Sequence, residues 1–260
     1  MVLTRVLSDD EAAELYDVLN SWGDFPADHF YDALVERAHN VLDIGCGTGG
    51  MLHHARDRGH RGRLVGLDPD RAALARAGRR TDVEWREGTA ATLTAEAEFD
   101  LATMTGHAFQ CLTTDEDLRD SLTAIRRALR PGGRFAFETR HPQAKAWEDW
   151  TPAHPVTVSQ PRRLRLWHEV ESVVGGVVTF TETAADPEGT VRRVDRAALR
   201  FLGPAELDEF LAAAGFVVEE RFGDWESGPL TEQSREIVTI ASAVRPPQDR
   251  AAQAAPAPKP

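Results

Sequence analysis

The sequence predicts an α/β protein whose central sheet is mainly parallel and covered by helices on both faces, a doubly wound arrangement. Short apolar runs alternate with helix-prone stretches between residues 39 and 142, and the alternation resumes between residues 203 and 244. The first apolar run leads directly into a glycine-rich turn. Strands that are apolar along their whole length are typical of parallel sheets buried between layers of helices.

The length and the composition narrow the class of protein. The chain has 260 residues, which suits one large domain or one domain with an insertion, and a formal net charge of −12. Such an acidic chain is poorly suited to a nucleic-acid partner, because binding phosphates requires concentrated positive charge. We find no apolar run of membrane-spanning length, no signal-peptide pattern, and only two cysteines, Cys46 and Cys111. We therefore expect a cytoplasmic protein that does not enter a membrane; the sequence does not indicate its oligomeric state.

The helices and strands are predicted in order from the spacing of apolar residues and from capping residues. Ser8 and Asp9 are candidate caps of the first helix, and Gly215 is the expected stop of the last one. We predict helices over residues 11–20, 27–38, 50–58, 70–77, 115–129 and 204–214. We predict strands over residues 39–44, 63–68, 83–86, 99–104, 134–139, 216–222 and 237–244.

Residues 143–202 interrupt this alternation. The β-prone runs at residues 163–174, 177–183 and 191–202 are separated by Gly175-Gly176 and by a Pro- and Gly-containing segment at 186–189, which are hairpin turn signals. We expect a small antiparallel insertion here, after the fifth strand. The Pro- and Ala-rich tail, residues 245–260, is predicted to be disordered.

The glycine-rich turn predicts a site for a nucleotide-like ligand. Gly45, Gly47, Gly49 and Gly50 fit both the G-x-G-x-G and the G-x-G-x-x-G spacing, so the turn alone does not choose between cofactors. Glycines at a strand-to-helix turn let the backbone reverse sharply and approach a ligand closely. A phosphate-binding P-loop is excluded, because residues 51–52 are not the Lys and Ser or Thr that it requires.

Two carboxylates sharpen this prediction. Asp68, at the end of the second strand, is placed to bind both ribose hydroxyls of an adenosine, a feature that NAD sites share. Asp43, just before the first glycine, would repel the pyrophosphate of a dinucleotide but suits a ligand that carries an ammonium group. An NAD(P)-dependent oxidoreductase is further disfavoured because neither Tyr16 nor Tyr31 begins a Tyr-x-x-x-Lys pair.

These motifs together resemble a known family. The run VLDIGCGTGG at residues 41–50 is similar to the first, glycine-rich motif of the class I S-adenosylmethionine-dependent methyltransferases. Asp68 matches the acidic ribose ligand of that family. Residues 99–101 match its fourth strand, and residues 129–133 match the turn before its fifth strand.

The resemblance covers residues 36–142 and 203–244 and implies both a fold and a function. The implied fold is a Rossmann-like, seven-stranded sheet whose last strand is antiparallel. The implied activity is transfer of a methyl group from S-adenosylmethionine to an oxygen, nitrogen or carbon atom of a small molecule. The helices within residues 1–38 are then expected to cap the cofactor site.

One position departs from the family pattern. Thr89 stands where the family usually carries an acidic residue that accepts the adenine amino group, and a hydroxyl accepts that hydrogen bond without the assistance of a charge. The chain shows no metal-ligand spacing, so no metal is expected. The expected cofactor-binding residues are Asp43, Gly45, Cys46, Gly47, Gly49, Asp68, Pro69, Thr89, Ala90 and Thr105.

The acceptor is expected beyond the carboxyl ends of the fourth and fifth strands, where ligands lie in open α/β sheets. The loops there supply His107, Gln110 and His141. Either histidine is a candidate general base, because an unperturbed imidazole titrates near neutrality. Tyr16 and Trp22, in the N-terminal segment, are expected to cap the cofactor pocket and are candidate substrate contacts.

The insertion, residues 143–202, is expected to be the substrate lid. Trp147 is a candidate substrate contact, and packing within the lid is the alternative interpretation of this residue. Three functions stay open: a small-molecule methyltransferase, a catalytically silent S-adenosylmethionine-binding protein, and an NAD(P)-dependent oxidoreductase. The intact Asp43 and Asp68 favour the first, and a protein acceptor also stays open.

Overall fold

The computed structural model describes residues 6–159 and 162–243. The helices are α1 (Asp9–Leu19), α2 (Pro26–Arg37), α3 (Gly50–Asp57), α4 (Arg71–Ala77), α5 (Asp115–Ala128) and α6 (Pro204–Ala213). The strands are β1 (Asn40–Ile44), β2 (Arg63–Asp68), β3 (Glu84–Glu87), β4 (Phe99–Met104), β5 (Leu129–Arg140), β6 (Val156–Val158), β7 (Leu164–Val174), β8 (Val177–Ala185), β9 (Val191–Arg200), β10 (Phe216–Phe222) and β11 (Glu236–Ala243). The tail that we predicted to be disordered lies outside the described residues.

The main sheet has seven strands in the order β3-β2-β1-β4-β5-β11-β10. Strands β1 to β5 pair in parallel, whereas β11 pairs antiparallel with both of its neighbours. The last strand in the chain is therefore the one that runs against the others. This confirms the predicted doubly wound, Rossmann-like α/β fold, with its seven strands and the antiparallel last strand.

Helix α5 shows how the layers are held together. Thr114 caps it by accepting a hydrogen bond from the backbone N–H of Asp117, and its apolar face is buried against the sheet. The helix ends at Ala128, and β5 begins at the next residue, five residues before the predicted start. The Pro-Gly-Gly turn is absorbed as an irregularity at the start of the strand, where the β4–β5 register shifts.

The predicted antiparallel insertion is a separate four-stranded sheet in the order β6-β7-β8-β9. Three of these strands agree with the predicted β-prone runs, and β6 was not predicted because it has only three residues. One face of this sheet packs on the N-terminal segment in a hydrophobic cluster. The cluster contains Leu7, Leu15, Val158, Leu164, Leu166 and Ala184.

Helix α1 connects this second sheet to the main domain. Ser8 caps the helix in a reciprocal pair of hydrogen bonds with Glu11. Asp9 of α1 forms an ion pair with Arg193 of β9 at 2.8 Å, and Asp17 forms one with Arg76 of α4 at 2.9 Å. In the described residues, no helix is both long and apolar enough to cross a membrane.

Candidate active site

Two cavities open at the carboxyl ends of the parallel strands. The first cavity has a volume of about 690 Å³ and lies over β1, β2 and the loop that follows β3. The second has a volume of about 420 Å³ and lies between β1, β4, β5 and helix α2. The residues that line both are Tyr16, Gly45, Thr48, Thr105 and Gly106.

The glycine-rich turn forms the floor where the two cavities meet. Gly45, Gly47 and Gly49 all have positive φ angles, of 72°, 54° and 84°, which side chains other than glycine adopt only with strain. A Cβ atom at Gly49 would lie 2.4 Å from the ring of Trp85, and one at Gly45 would lie 2.8 Å from Ala108. The turn therefore requires glycine for its conformation and for close packing.

Asp68 lies at the end of β2, on the wall of the first cavity. Its carboxylate accepts hydrogen bonds from the backbone N–H of Gly47 at 2.7 Å and from that of Asp70 at 2.8 Å. Burial raises the pKa of Asp68, and these two backbone donors act in the opposite direction. Each oxygen accepts one bond in this way and keeps capacity for a second.

Asp43 is a buried carboxylate on the wall of the second cavity, and its side chain is only 1% exposed. Thr103 donates its hydroxyl hydrogen to Asp43 at 2.9 Å. Burial raises the pKa of Asp43 to about 7, the hydrogen bond from Thr103 opposes this rise, and the nearby Asp68 and Glu138 add to it. Among the described residues, no basic side chain forms an ion pair with Asp43. Such a group is suited to a cationic ligand.

The remaining predicted cofactor residues are divided between the two cavities. Pro69, Thr89 and Ala90 line the first, Cys46 lines the second, and Thr105 lines both. Burial raises the pKa of the Cys46 thiol, and Asp43 and Asp68 raise it further, so this cysteine is not an activated nucleophile.

The second cavity contains a hydrogen-bonded cluster around His107. The residue has a positive φ of 63°, and its backbone N–H donates to Oε1 of Glu138 at 2.7 Å. Its imidazole Nε2 is paired with Oε2 of Glu236 at 2.9 Å. Strained residues that neighbouring groups hold in place are frequent at functional sites.

Glu138 itself is buried near the carboxyl end of β5, at 1% exposure, and lines the second cavity. Tyr31 of α2 donates its hydroxyl hydrogen to Oε2 of this carboxylate. Burial raises the pKa of Glu138, and burial together with the Glu138 charge raises the pKa of Tyr31. One carboxylate therefore holds α2 and the loop after β4 in place from the floor of the cavity.

Comparison with known proteins identifies the family. Residues 41–133 match the model of a methyltransferase domain. The 2-phytyl-1,4-naphtoquinone methyltransferase of Thermosynechococcus vestitus is 31% identical over 153 residues, which span 54% of this chain and 67% of the relative. The chain belongs to the class I S-adenosylmethionine-dependent methyltransferases. Its cofactor is S-adenosylmethionine.

Other comparisons agree with this assignment. The Cypemycin N-terminal methyltransferase of a Streptomyces species is 28% identical over 214 residues, or 77% of this chain and 81% of the relative. The fold matches the CcbJ methyltransferase of Streptomyces caelestis, with a TM-score of 0.73 and 22% identity over 91% of this chain and 97% of the other. It also matches an amino pentose methyltransferase of Micromonospora echinaspora, solved with S-adenosylmethionine bound. That match has a TM-score of 0.64 and 23% identity, over 94% of this chain and all of the other.

The residues of this methyltransferase fit its cofactor. S-adenosylmethionine, when bound, supplies an electrophilic methyl group on a positively charged sulfur. The adenosine part requires hydrogen-bond acceptors for its ribose hydroxyl groups, and the carboxylate oxygens of Asp68, on the wall of the first cavity, are such acceptors. The amino acid part carries an ammonium group, and Asp43 is a buried carboxylate without an ion-pair partner in the described part of the chain.

Three of the predicted acceptor residues lie elsewhere than expected. His141 lines neither cavity, and its Nδ1 accepts a hydrogen bond from the backbone N–H of Gln143 at 3.1 Å, so its ring caps a turn. Gln110 is 0% exposed and already bonded through both ends of its amide, to Arg140 and Arg200. Trp147 packs edge-on against Phe201, with 4.6 Å between the ring centroids. The structure does not bring these three to the cavities.

Tyr16 and Trp22, in contrast, lie on the cavity walls. Tyr16 extends between the glycine turn and the loop after β4. A Cβ atom at Gly47 would lie 3.7 Å from its ring, and one at Gly106 would lie 3.6 Å from its hydroxyl. Trp22 lines the second cavity and donates its indole hydrogen to Asp32 at 3.0 Å.

The sequence reasoning missed four residues of the second cavity's cluster, namely Tyr31, Glu138, Arg140 and Glu236. A signal was present for Glu138, because a single carboxylate in the apolar run Phe135-Ala136-Phe137 is expensive to bury without a purpose. The other three have no such signal. The bond between Tyr31 and Glu138 and the pair of Glu236 with His107 depend on how α2, β5 and β11 pack, and Arg140 lines the cavity from the end of β5.

Proposed function

We propose that this methyltransferase transfers a methyl group from S-adenosylmethionine to a small-molecule acceptor that binds in the second cavity. One observation supports this division most directly: the two cavities meet at Tyr16, Gly45, Thr105 and Gly106. A cofactor whose adenosine lies in the first cavity would extend its amino acid part across this junction to Asp43, and its reactive methyl group would face an acceptor in the second cavity. Methyl transfer needs such positioning more than any other contribution from the protein.

The proposed roles of the cofactor residues follow from their positions. Asp68 binds the ribose hydroxyls, and Asp43 holds the ammonium group. Thr89, on the wall of the first cavity, accepts from the adenine amino group. The remaining cofactor contacts are Gly45, Cys46, Gly47, Gly49, Pro69, Ala90 and Thr105.

His107 is proposed as the general base. Glu236 holds Nε2 of the imidazole as a donor, which leaves Nδ1 to accept a proton, and no other described residue hydrogen-bonds Nδ1. A carboxylate that orients the far nitrogen of a histidine in this way is a recurrent arrangement in acid–base catalysis. Because His141 lines neither cavity, we assign it no part in the reaction.

A small acceptor is supported by the size and setting of the second cavity. Its volume of about 420 Å³ suits a ligand of a few hundred daltons at most. The relatives act on a quinone and on a peptide N-terminus by their names, and the net charge of −12 disfavours nucleic acid. We place the reaction in the cytoplasm, in keeping with the free thiols of Cys46 and Cys111.

The outer parts of the chain are proposed to cover the site. Ala12, Ala13 and Tyr16 of α1 line the first cavity, together with Arg193 and Asp195 of β9. The N-terminal helices then cap the cofactor, and the inserted sheet is a lid over residues 39–142 and 203–243. Trp147, packed on Phe201, strengthens this lid.

The proposal is tested by calorimetry and by product analysis. S-adenosylmethionine and S-adenosylhomocysteine should bind with similar affinity, and NAD should not bind. A panel of small amines, alcohols, thiols and carboxylates is then screened for formation of S-adenosylhomocysteine. Binding of the cofactor without turnover on any acceptor class would favour the catalytically silent alternative.

A further inference from the structure

The floor of the second cavity is unusually acidic. Three carboxylates line it, those of Asp28, Asp43 and Glu138. A fourth, Glu236, is outside the lining and pairs with the imidazole of His107. Asp28 accepts two hydrogen bonds on Oδ2, from the backbone N–H groups of Gly23 and Phe25, just before α2. Glu138 accepts one hydrogen bond on each oxygen, from His107 and Tyr31, and like Asp28 it has no ion-pair partner within the described residues. At 1% exposure against 5% it is the more deeply buried of the two, and its bond to His107 places it beside the candidate base.

The charge of Glu138 is not needed to bind the cofactor. Asp43 of β1 is aligned with Thr103 of β4, which is aligned with Ala136 of β5. Two strand spacings, about 10 Å, therefore separate Asp43 from the position of Ala136 on β5. Glu138 lies two residues beyond Ala136, toward the carboxyl end of the strand. The cofactor ammonium has its own partner in Asp43, and Glu138 remains for the other ligand.

A basic residue is also present, but it is poorly placed to make the cavity bind anions. Arg140 lines the second cavity, its Nη1 donates to Oε1 of Gln110 at 3.2 Å, and its guanidinium lies 5.5 Å from the centre of the Trp150 ring. These contacts occupy part of the group. Two carboxylates besides Asp43, those of Asp28 and Glu138, line the same cavity.

The side walls of the cavity agree with a cationic ligand. Trp22, Phe25 and Trp225 line it, and aromatic faces attract ammonium groups in addition to covering apolar surface. A carboxylate on the floor and aromatic rings on the walls are together complementary to an organic amine.

We propose that the acceptor is an amine and that Glu138 holds its nitrogen as the protonated ammonium group. This inference rests on the proposed function, whose acceptor it specifies. One proton leaves the ammonium nitrogen for Nδ1 of His107, which frees a lone pair. The nitrogen then forms a bond to the methyl carbon as the carbon–sulfur bond breaks with its electron pair remaining on sulfur, and the product is a methylated ammonium ion.

The test uses three probes that share one ring and differ in the head group: benzylamine, benzyl alcohol and benzoate. Their dissociation constants are measured by NMR titration of the full chain saturated with S-adenosylhomocysteine. We expect benzylamine to bind about ten- to a hundredfold more tightly than benzyl alcohol, as for a hydrogen bond to a charged group. Benzoate should bind most weakly.

Two variants separate this role from a structural one. Glu138→Gln keeps the shape of the side chain and an acceptor for His107 but removes the charge. Benzylamine should then bind about as tightly as benzyl alcohol. Tyr31→Phe removes a donor but keeps the charge, so the preference for benzylamine should persist or increase. If Glu138 only supported the fold, both variants would alter the binding of all three probes alike.

The outcomes also distinguish this inference from the proposed function. If the wild-type protein fails to bind S-adenosylhomocysteine, the proposed function itself is overturned. If it binds S-adenosylhomocysteine but benzylamine binds no more tightly than benzyl alcohol, or less tightly than benzoate, only the amine inference is overturned. The same conclusion follows if Glu138→Gln keeps the full preference.

Discussion

The backbone N–H of Gly47 donates to the carboxylate of Asp68 at 2.7 Å, so the end of β2 holds the glycine turn in place. The same carboxylate also accepts from the backbone N–H of Asp70. A residue proposed to bind the ribose thus has a second task in the cofactor-free protein, which is to shape the turn on which the cofactor lies.

We expect Asp68→Ala to lower the affinity for S-adenosylmethionine by roughly one to two orders of magnitude, because a hydrogen bond to a charged group contributes about 1.5–3 kcal/mol. The melting temperature should also fall, since the backbone N–H groups of Gly47 and Asp70 lose their acceptor. Comparing adenosine with 2′-deoxyadenosine by calorimetry isolates the ribose contact. The wild-type protein should prefer adenosine, and a variant that keeps this preference would refute the ribose assignment.

Burial raises the pKa of Asp43 to about 7. The contribution of this carboxyl group to the free energy of unfolding therefore depends on pH. The folded protein holds this proton more tightly than the unfolded chain, whose Asp titrates at about 3.9. Stability of the cofactor-free protein should therefore decrease as the pH rises between these two values and stay level above them. In Asp43→Asn, thermal unfolding should show a smaller decrease over the same range.

The same carboxylate should link cofactor binding to proton release. An ammonium group beside Asp43 favours the ionised form, so binding at about pH 6 should release a proton from the wild-type protein. Calorimetry in two buffers of different ionisation enthalpy measures this release. Asp43→Asn should bind more weakly and release less; equal release in both proteins would show that Asp43 does not meet the ammonium group.

Thr89 offers a test in which a substitution should strengthen cofactor binding. If it accepts from the adenine amino group, Thr89→Asp should tighten cofactor binding by about two- to tenfold, because a charged acceptor is the stronger one. Thr89→Val serves as the opposite control, with weaker binding. Should Thr89→Asp bind more weakly than the wild-type protein, another group makes the adenine contact.

His107→Ala should reduce turnover by about 10²–10⁴-fold and leave S-adenosylmethionine affinity nearly unchanged. The wild-type rate should fall on acidification, since only a neutral imidazole accepts a proton, and this dependence should weaken in the variant. His141→Ala is the matched control, because that ring lines neither cavity. Near-normal turnover in His107→Ala would refute its role as base.

Gly49 and Gly59 form a matched pair for measuring close packing. Both have a positive φ, of 84° and 89°, but a Cβ would meet Trp85 at the first position and nothing within 4 Å at the second. Gly59→Ala should cost about 1–2 kcal/mol for its backbone conformation. Gly49→Ala should cost about 1–3 kcal/mol more through overpacking, measured by denaturant unfolding. Equal costs would mean that Trp85 can move aside.

Most of the fold could be predicted because its signals are local. Helix α6 illustrates this: Pro204 occupies its first turn, and Gly215, with a φ of 83°, follows its end. The glycine turn and Asp68 are equally local, since backbone conformation and a carboxylate at a strand end can be interpreted from neighbouring residues. Strand β6 was missed because three residues are too few to show alternation.

The second cavity could not be predicted in the same way, because its contacts join distant parts of the chain. Gln110 bonds Arg140 and Arg200, 30 and 90 positions away, and these bonds use up the polar atoms that made it a candidate. His107 and Glu236 are 129 positions apart, and Tyr31 and Glu138 are 107 apart. Only the packing of the sheet decides such pairs.

Tyr16 lines both cavities and is 48% exposed, so a ligand in either cavity would contact its ring and restrict it. Whichever ligand arrives first bears the entropic cost of ordering that ring, and the second ligand does not. Cofactor and acceptor should therefore bind with positive cooperativity. Thermodynamic linkage requires the effect to be reciprocal: the factor by which the cofactor tightens the acceptor equals the factor by which the acceptor tightens the cofactor.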